Sequence, residues 1–219
     1  MEILITDVTE MRDDTYCVAG WDTEKNLMIR PLPDGSHWPQ TLIAKYGIKP
    51  GTLLKADAKG TSNGTLPHST EDTPIDPNSI SASQTSPDWV GTGAPDVSPS
   101  IAEAFNNSLC WNKIFRGVRQ GVYVPKGTNC SSLAAVKIRK TAISFVEPFG
   151  KLLAIINDGS ASYQLSVSSR IYKTGWRDGG IAKATSLLPN RNELHVRVGL
   201  ARDFEGQPNK CYLMINGIL

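Results

Sequence analysis

Apolar residues in this chain recur at every second position in short segments, and that period restricts it to packed β-sheet. Leu194, Val196, Val198 and Leu200 share one face of a segment whose other face holds His195 and Arg197. Val136 and Ile138 alternate in the same way with Lys137 and Arg139 within a longer β region at 132–146. Segments 2–8, 16–21 and 26–30 read as an antiparallel meander that Pro31-Leu32-Pro33-Asp34-Gly35 should stop, because proline cannot donate to a ladder. Further strands are expected at 52–58, 121–125 and 211–215. Segments 152–156 and 162–167 form a hairpin through Asn157-Asp158-Gly159-Ser160.

Helical signals are few. Residues 41–46 suit a short helix ended by Gly47. Ile101, Phe105 and Leu109 recur every four residues, with Ser98 or Ser100 as cap, Pro99 in the first turn and Glu103 completing a capping box. Several short strands with one helix between two β sets argue against a doubly wound α/β sheet and favour small barrels. The expected layout is a first domain at 1–97 with a long polar loop from residue 60, a connecting helix at 98–113, and a second domain at 114–219.

Charge divides along the same lines. Residues 1–111 hold 7 Lys and Arg against 15 Asp and Glu, a net of −8, whereas 112–219 hold 16 against 6, a net of +10. A surplus confined to one half gives the concentrated field that a polyanion requires. Lys137 and Arg139 on one strand, and His195 and Arg197 on another, would form a positive stripe if the strands are neighbours. Arg116, Arg119, Lys140, Lys173, Arg177 and Arg191 could extend it. Trp111, Phe115, Tyr123, Tyr172 and Trp176 interleave aromatic rings, the combination single-strand binders use. Lys173-Thr174-Gly175-Trp176-Arg177-Asp178-Gly179-Gly180 reads equally as a stacking finger or as a turn whose Trp176 packs inward.

Chemistry of other kinds has little support. Pro67-His68-Ser69-Thr70-Glu71-Asp72 places a histidine beside two carboxylates, a weak general acid–base or small-ligand signal. No phosphate loop, nucleophile elbow or zincin motif is present, and neither catalytic residues, cofactor nor metal is expected. Cys17, Cys110, Cys130 and Cys211 are far apart and read as reduced thiols of a cytoplasmic protein. The N-terminus reads as a core strand, and no run is long enough to span a membrane.

Several stretches resemble the bacterial dual OB-fold domain family. They are Ile3-Leu4-Ile5-Thr6-Asp7-Val8-Thr9, Cys17-Val18-Ala19-Gly20, Ile29-Arg30-Pro31 and the Pro-His-x-x-Glu-Asp pattern at Pro67 to Asp72. Ser131-Ser132-Leu133, the run from Leu194 to Arg202 and the run from Tyr212 to Ile218 complete the set. The resemblance implies two tandem OB-like barrels and a nucleic-acid role, often in bacterial systems acting against invasive elements. Arg30, His68, Glu71, Asp72, Arg197, Arg202 and Asn216 fall on family-like positions, and Asn216-Gly217 reads equally as a turn.

Together these readings make the chain a mainly β protein of two OB-like barrels joined by a helix. Lys137, Arg139, Arg197 and Arg202 would bind phosphates of a nucleic acid, single-stranded by preference. Trp176 or Tyr172 would stack a base beside Arg177. The rival readings are an adaptor that meets an acidic protein, and a small-ligand or metal site at His68, Glu71 and Asp72.

Overall fold

The computed structural model describes residues 1–11, 14–60, 64–85 and 97–219. The chain is mainly β and divides into two units, Met1–Gly64 with Ser69–Pro95, and Thr65–His68 with Asp96–Leu219.

In the first unit, β1 (Glu2–Glu10), β2 (Thr15–Asp22) and β3 (Leu27–Pro33) form the expected antiparallel meander. A two-residue β4 (Trp38–Pro39) leads into α1 (Gln40–Tyr46), which Gly47 ends in the left-handed conformation. β5 (Thr52–Lys55) then pairs antiparallel with β1, and β6 (Asp72–Ile75) lies parallel to β3. β7 (Ser81–Gln84) is an exposed outer strand on β5. An Ala58–Ile75 bridge, with Lys59 N–H donating to Pro74 O and Asp76 N–H to Asp57 O, brings the chain after β5 back against β6. Ile3, Ile5, Val18, Ile29, Trp38, Leu54 and Ile75 fill the interior of this circuit.

The second unit repeats the plan with additions. β11 (Leu133–Arg139) and β12 (Ile143–Val146) are halves of one strand bent at a 3₁₀ turn over Lys140–Ala142. β12 pairs with β13 (Leu153–Asn157), and β13 with β14 (Ser162–Val167), the hairpin expected from Asp-Gly. α3 (Arg170–Ser186) follows, then β15 (Glu193–Leu200) and β16 (Lys210–Ile218). β15 pairs with both β11 and β16, while β16 lies parallel to β14 at Ser166–Met214 and Val167–Ile215. The path β12-β13-β14-β16-β15-β11 therefore returns to its own first strand.

A meander, a helix and two further strands, the last parallel to the third, give both units OB-like connectivity. Among the described residues neither circuit is sealed by a continuous ladder, so both are partly open rather than closed barrels. Ahead of this circuit the second unit carries a short β8 (Val97–Ser98) on β11, α2 (Ile101–Ala104), and a hairpin of β9 (Cys110–Phe115) and β10 (Val118–Pro125). Arg116 and Gly117 connect that hairpin at positive φ, as a two-residue primed turn requires. β10 is wedged between the starts of β14 and β16 and spreads them apart.

Four expectations need correction. β3 does not stop at Pro31. Arg30 N–H donates to Glu71 O and Asp34 N–H to Ile75 O, so the prolines between them point their missing donors at the edge where pairing with β2 has already ended. The helix expected over 98–113 is one turn, because β9 begins at Cys110; Ser100 Oγ does cap Glu103 N–H, as read. The polar stretch from residue 60 contains β6 and β7, and its residues 61–63 and 86–96 lie outside the described residues. Finally, residues 173–180 are helical, with Gly179 and Gly180 breaking α3 into two pieces.

Candidate functional site

Sheet geometry first decides where the expected cations go. β11 and β15 are neighbours, but Ala135 opposes Arg197, Lys137 opposes His195 and Arg139 opposes Glu193. Arg197 is 1% exposed, which leaves no surface for a phosphate. Burial, then Lys137, Arg197 and Arg191, push the His195 pKa below its ordinary value against the pull of Glu193. His195 is therefore uncharged at neutral pH. Lys137 and Arg139 are exposed, with a carboxylate opposite Arg139.

The aromatic candidates divide similarly. Tyr172 is buried in the core against Phe145, ring centroids 5.4 Å apart, and its hydroxyl donates to Ile218 O at 3.2 Å. Trp176 packs against the same core, and its Nε1 donates to Glu147 at 2.9 Å. Arg177 and Arg202 are exposed, and the Arg177 Nε donates to Lys173 O.

The family-like residues are mostly interior. Arg30 and Asp72, directly opposed on β3 and β6, form a buried ion pair at 2.5 Å. Burial works against the guanidinium charge, but Cys17, Asp72 and Glu71 outweigh it and raise the Arg30 pKa. Glu71 accepts a hydrogen bond from Thr70. His68 belongs to the second unit, where its Nε2 lies 2.9 Å from Leu200 O, whereas Glu71 and Asp72 belong to the first. Among the described residues no group of three His, Cys, Asp or Glu side chains is placed to hold a metal ion. Asn216 is the extra residue of a β-bulge in β16 and accepts from the Ser168 hydroxyl.

The second unit instead presents a groove of about 660 Å³ on the face formed by β13, β14 and β16, between the β12–β13 loop, the β15–β16 loop and the β9–β10 hairpin. Lys113 and Phe115 come from the hairpin, Phe149 and Lys151 from the first loop, Phe204 from the second and Tyr212 from β16. Phe149, Phe115 and Phe204 are 99%, 57% and 46% exposed, and among the described residues no carboxylate lines the groove.

Each wall is held in place. Pro148-Phe149-Gly150 turns with Phe149 itself in the left-handed region (φ 55, ψ 36), which projects its ring outward. The Trp176–Glu147 hydrogen bond anchors the foot of that turn to α3. On the opposite wall, Lys126 binds Asp203 at 3.1 Å and holds its carboxyl pKa below the ordinary value, fixing the loop to the end of β10. Tyr212 donates to Gln207 across the same loop. On the hairpin, Arg116 sits over the Phe115 ring and Arg119 over Trp111, at 5.3 and 4.2 Å.

Sequence reading picked out Phe115 but missed Phe149, Phe204, Lys113 and Lys151. A usable signal existed in Pro148-Phe149-Gly150 and Asp203-Phe204-Glu205-Gly206, where an aromatic residue stands inside turn-forming neighbours and so is directed away from a core.

No family model matches the chain, and no curated protein matches it. Solved structures that align with it include two HIN domains. The tetrameric p202 HIN2 does so with TM-score 0.35 and 9% identity over 100% of this chain and 91% of that one. The p204 HINb domain does so with TM-score 0.31 and 12% identity over 98% and 95%. Likeness at this level carries no argument about function.

Proposed function

We propose that the protein binds single-stranded nucleic acid in the groove of its second unit. The carrying observation is the lining: two lysines and three exposed phenylalanines on an OB-like sheet face, with no carboxylate among the described lining residues. Cations neutralise phosphates and exposed rings stack bases, and the strands and loops of this face are where OB-folds hold oligonucleotides. Unpaired bases suit the site better than duplex, since rings that stand free can stack only on faces a duplex conceals. The positive balance of the C-terminal half and the dual OB-fold resemblance agree with this role.

Titration of labelled single-stranded DNA and RNA at two ionic strengths tests it. Affinity should fall steeply with salt, and Lys113→Ala and Lys151→Ala should each weaken binding about three- to tenfold at low salt. Absence of binding to every single strand at low salt overturns the reading.

A further inference from the structure

Behind the phenylalanines and lysines, the floor of the groove carries polar groups that phosphate binding and stacking leave unused. Gln120 on β10 and Gln164 on β14 are direct partners in the parallel register, and both line the groove. Gln164 lies on the side of β14 opposite its core residues Tyr163 and Leu165, with Ser166 beyond it on the same side. Both glutamines are half-buried, and among the described residues neither amide is engaged in a hydrogen bond within the protein. A primary amide presents a donor beside an acceptor. Two such amides side by side at the bottom of an aromatic-walled groove match the edge of a flat heterocycle better than they match a phosphate, which offers acceptors alone.

Resting on the nucleic-acid reading above, we propose that the Gln120–Gln164 pair is a base-reading subsite that selects adenine in a single strand, with Phe149 as its stacking wall. Adenine meets an amide with a donor and an acceptor on either of two edges: N6–H beside N7, or N6–H beside N1. Guanine shows two acceptors on its N7 edge, which suits arginine or lysine, and matches an amide on its Watson–Crick edge alone, through O6 and N1–H, where adenine matches on both edges. The pyrimidines offer a matching pair on one edge only and a smaller ring to stack. Replacing either amide removes no hydrogen bond of the fold among the described residues. Salt should leave the preference intact while it lowers affinity for every strand, because base-edge bonds release no counterions.

The test is fluorescence anisotropy with fluorescein-labelled ten-nucleotide strands of dT carrying one central dA, dG, dC or dT, titrated at two salt concentrations. The dA strand should bind at least about fivefold more tightly than the other three, the low end of what a good bidentate base contact discriminates. Gln164→Met and Gln120→Met, which keep side-chain length and remove the amide, should bring the four strands to within about twofold of one another. Gln164→Glu keeps the shape but loses the donor, and should likewise abolish the preference; thermal unfolding of each variant confirms that the fold is retained. Binding of any other strand as tight as that of the dA strand by the wild-type protein, or a preference that survives in both Met variants, overturns the subsite and leaves the general reading standing. Failure of all four strands to bind overturns the general reading itself.

Discussion

Phe149 shows at a single residue how conformational cost and function can be separated. Its ring is fully exposed and gains no burial, while its backbone sits in the left-handed region that a bulky side chain avoids. Neither feature helps the fold. Glycine adopts the same φ without the penalty, so Phe149→Gly should leave stability unchanged or raise it, by up to about 1 kcal/mol. The same substitution removes a stacking surface worth about 1–3 kcal/mol per base, so affinity for a single strand should fall about five- to hundredfold. Chemical denaturation and anisotropy on the one variant read both numbers. Loss of stability with unchanged affinity would mean that the ring serves the fold and is not a stacking wall. Trp176 is its converse, since core packing and the bond to Glu147 give it the structural role that its glycine-rich sequence context concealed.

Among elements, α3 departs most from what its residues suggest. Gly175, Gly179 and Gly180 each lower helix propensity, and together they make the stretch read as a loop. Two of them are required by contacts or angles. A Cβ on Gly179 would stand 2.8 Å from Lys183 Cβ, and Gly180 lies at φ 65, ψ −161, a region open essentially to glycine alone. Gly180→Ala should therefore cost about 1–3 kcal/mol in chemical denaturation, whereas an exposed alanine in an unbroken helix would be neutral or stabilising. The strands were far more legible. Period-2 alternation located β11 and β15, and short apolar segments located β1, β2 and β16, to within a few residues, because burial writes itself into the sequence. β6 and β7 left no such trace. Asp72-Thr73-Pro74-Ile75 and Ser81-Ala82-Ser83-Gln84 are held by backbone pairing to β3 and β5, which is independent of side-chain polarity. The groove was illegible for a related reason: its residues come from two loops, a hairpin and three strands, and only the circuit of the sheet assembles them.

At the scale of the molecule, the charge asymmetry and the groove make different demands on the same cations. A net surplus acts at a distance and is screened within about 10 Å at 0.1 M salt, so it raises encounter rates without fixing where a strand lies. Cations lining the groove displace condensed counterions, and each removes about 0.7 from the slope of log affinity against log salt for a single strand. Lys137 and Arg139, exposed on β11 and outside the groove lining, belong to the first class; Lys113 and Lys151 belong to the second. The Lys113→Ala/Lys151→Ala double variant should therefore flatten the slope by about 1.4 and weaken binding at all salt concentrations tested. Lys137→Ala/Arg139→Ala removes the same formal charge, yet should change affinity less than about threefold at 0.15 M salt and leave the slope intact. Both variants alter net charge equally, so any difference between them reports position alone. A larger loss from the β11 pair would move the interface to the β11–β15 surface, where the alternating pattern of the sequence had placed it, and would leave the aromatic groove without a role in phosphate binding.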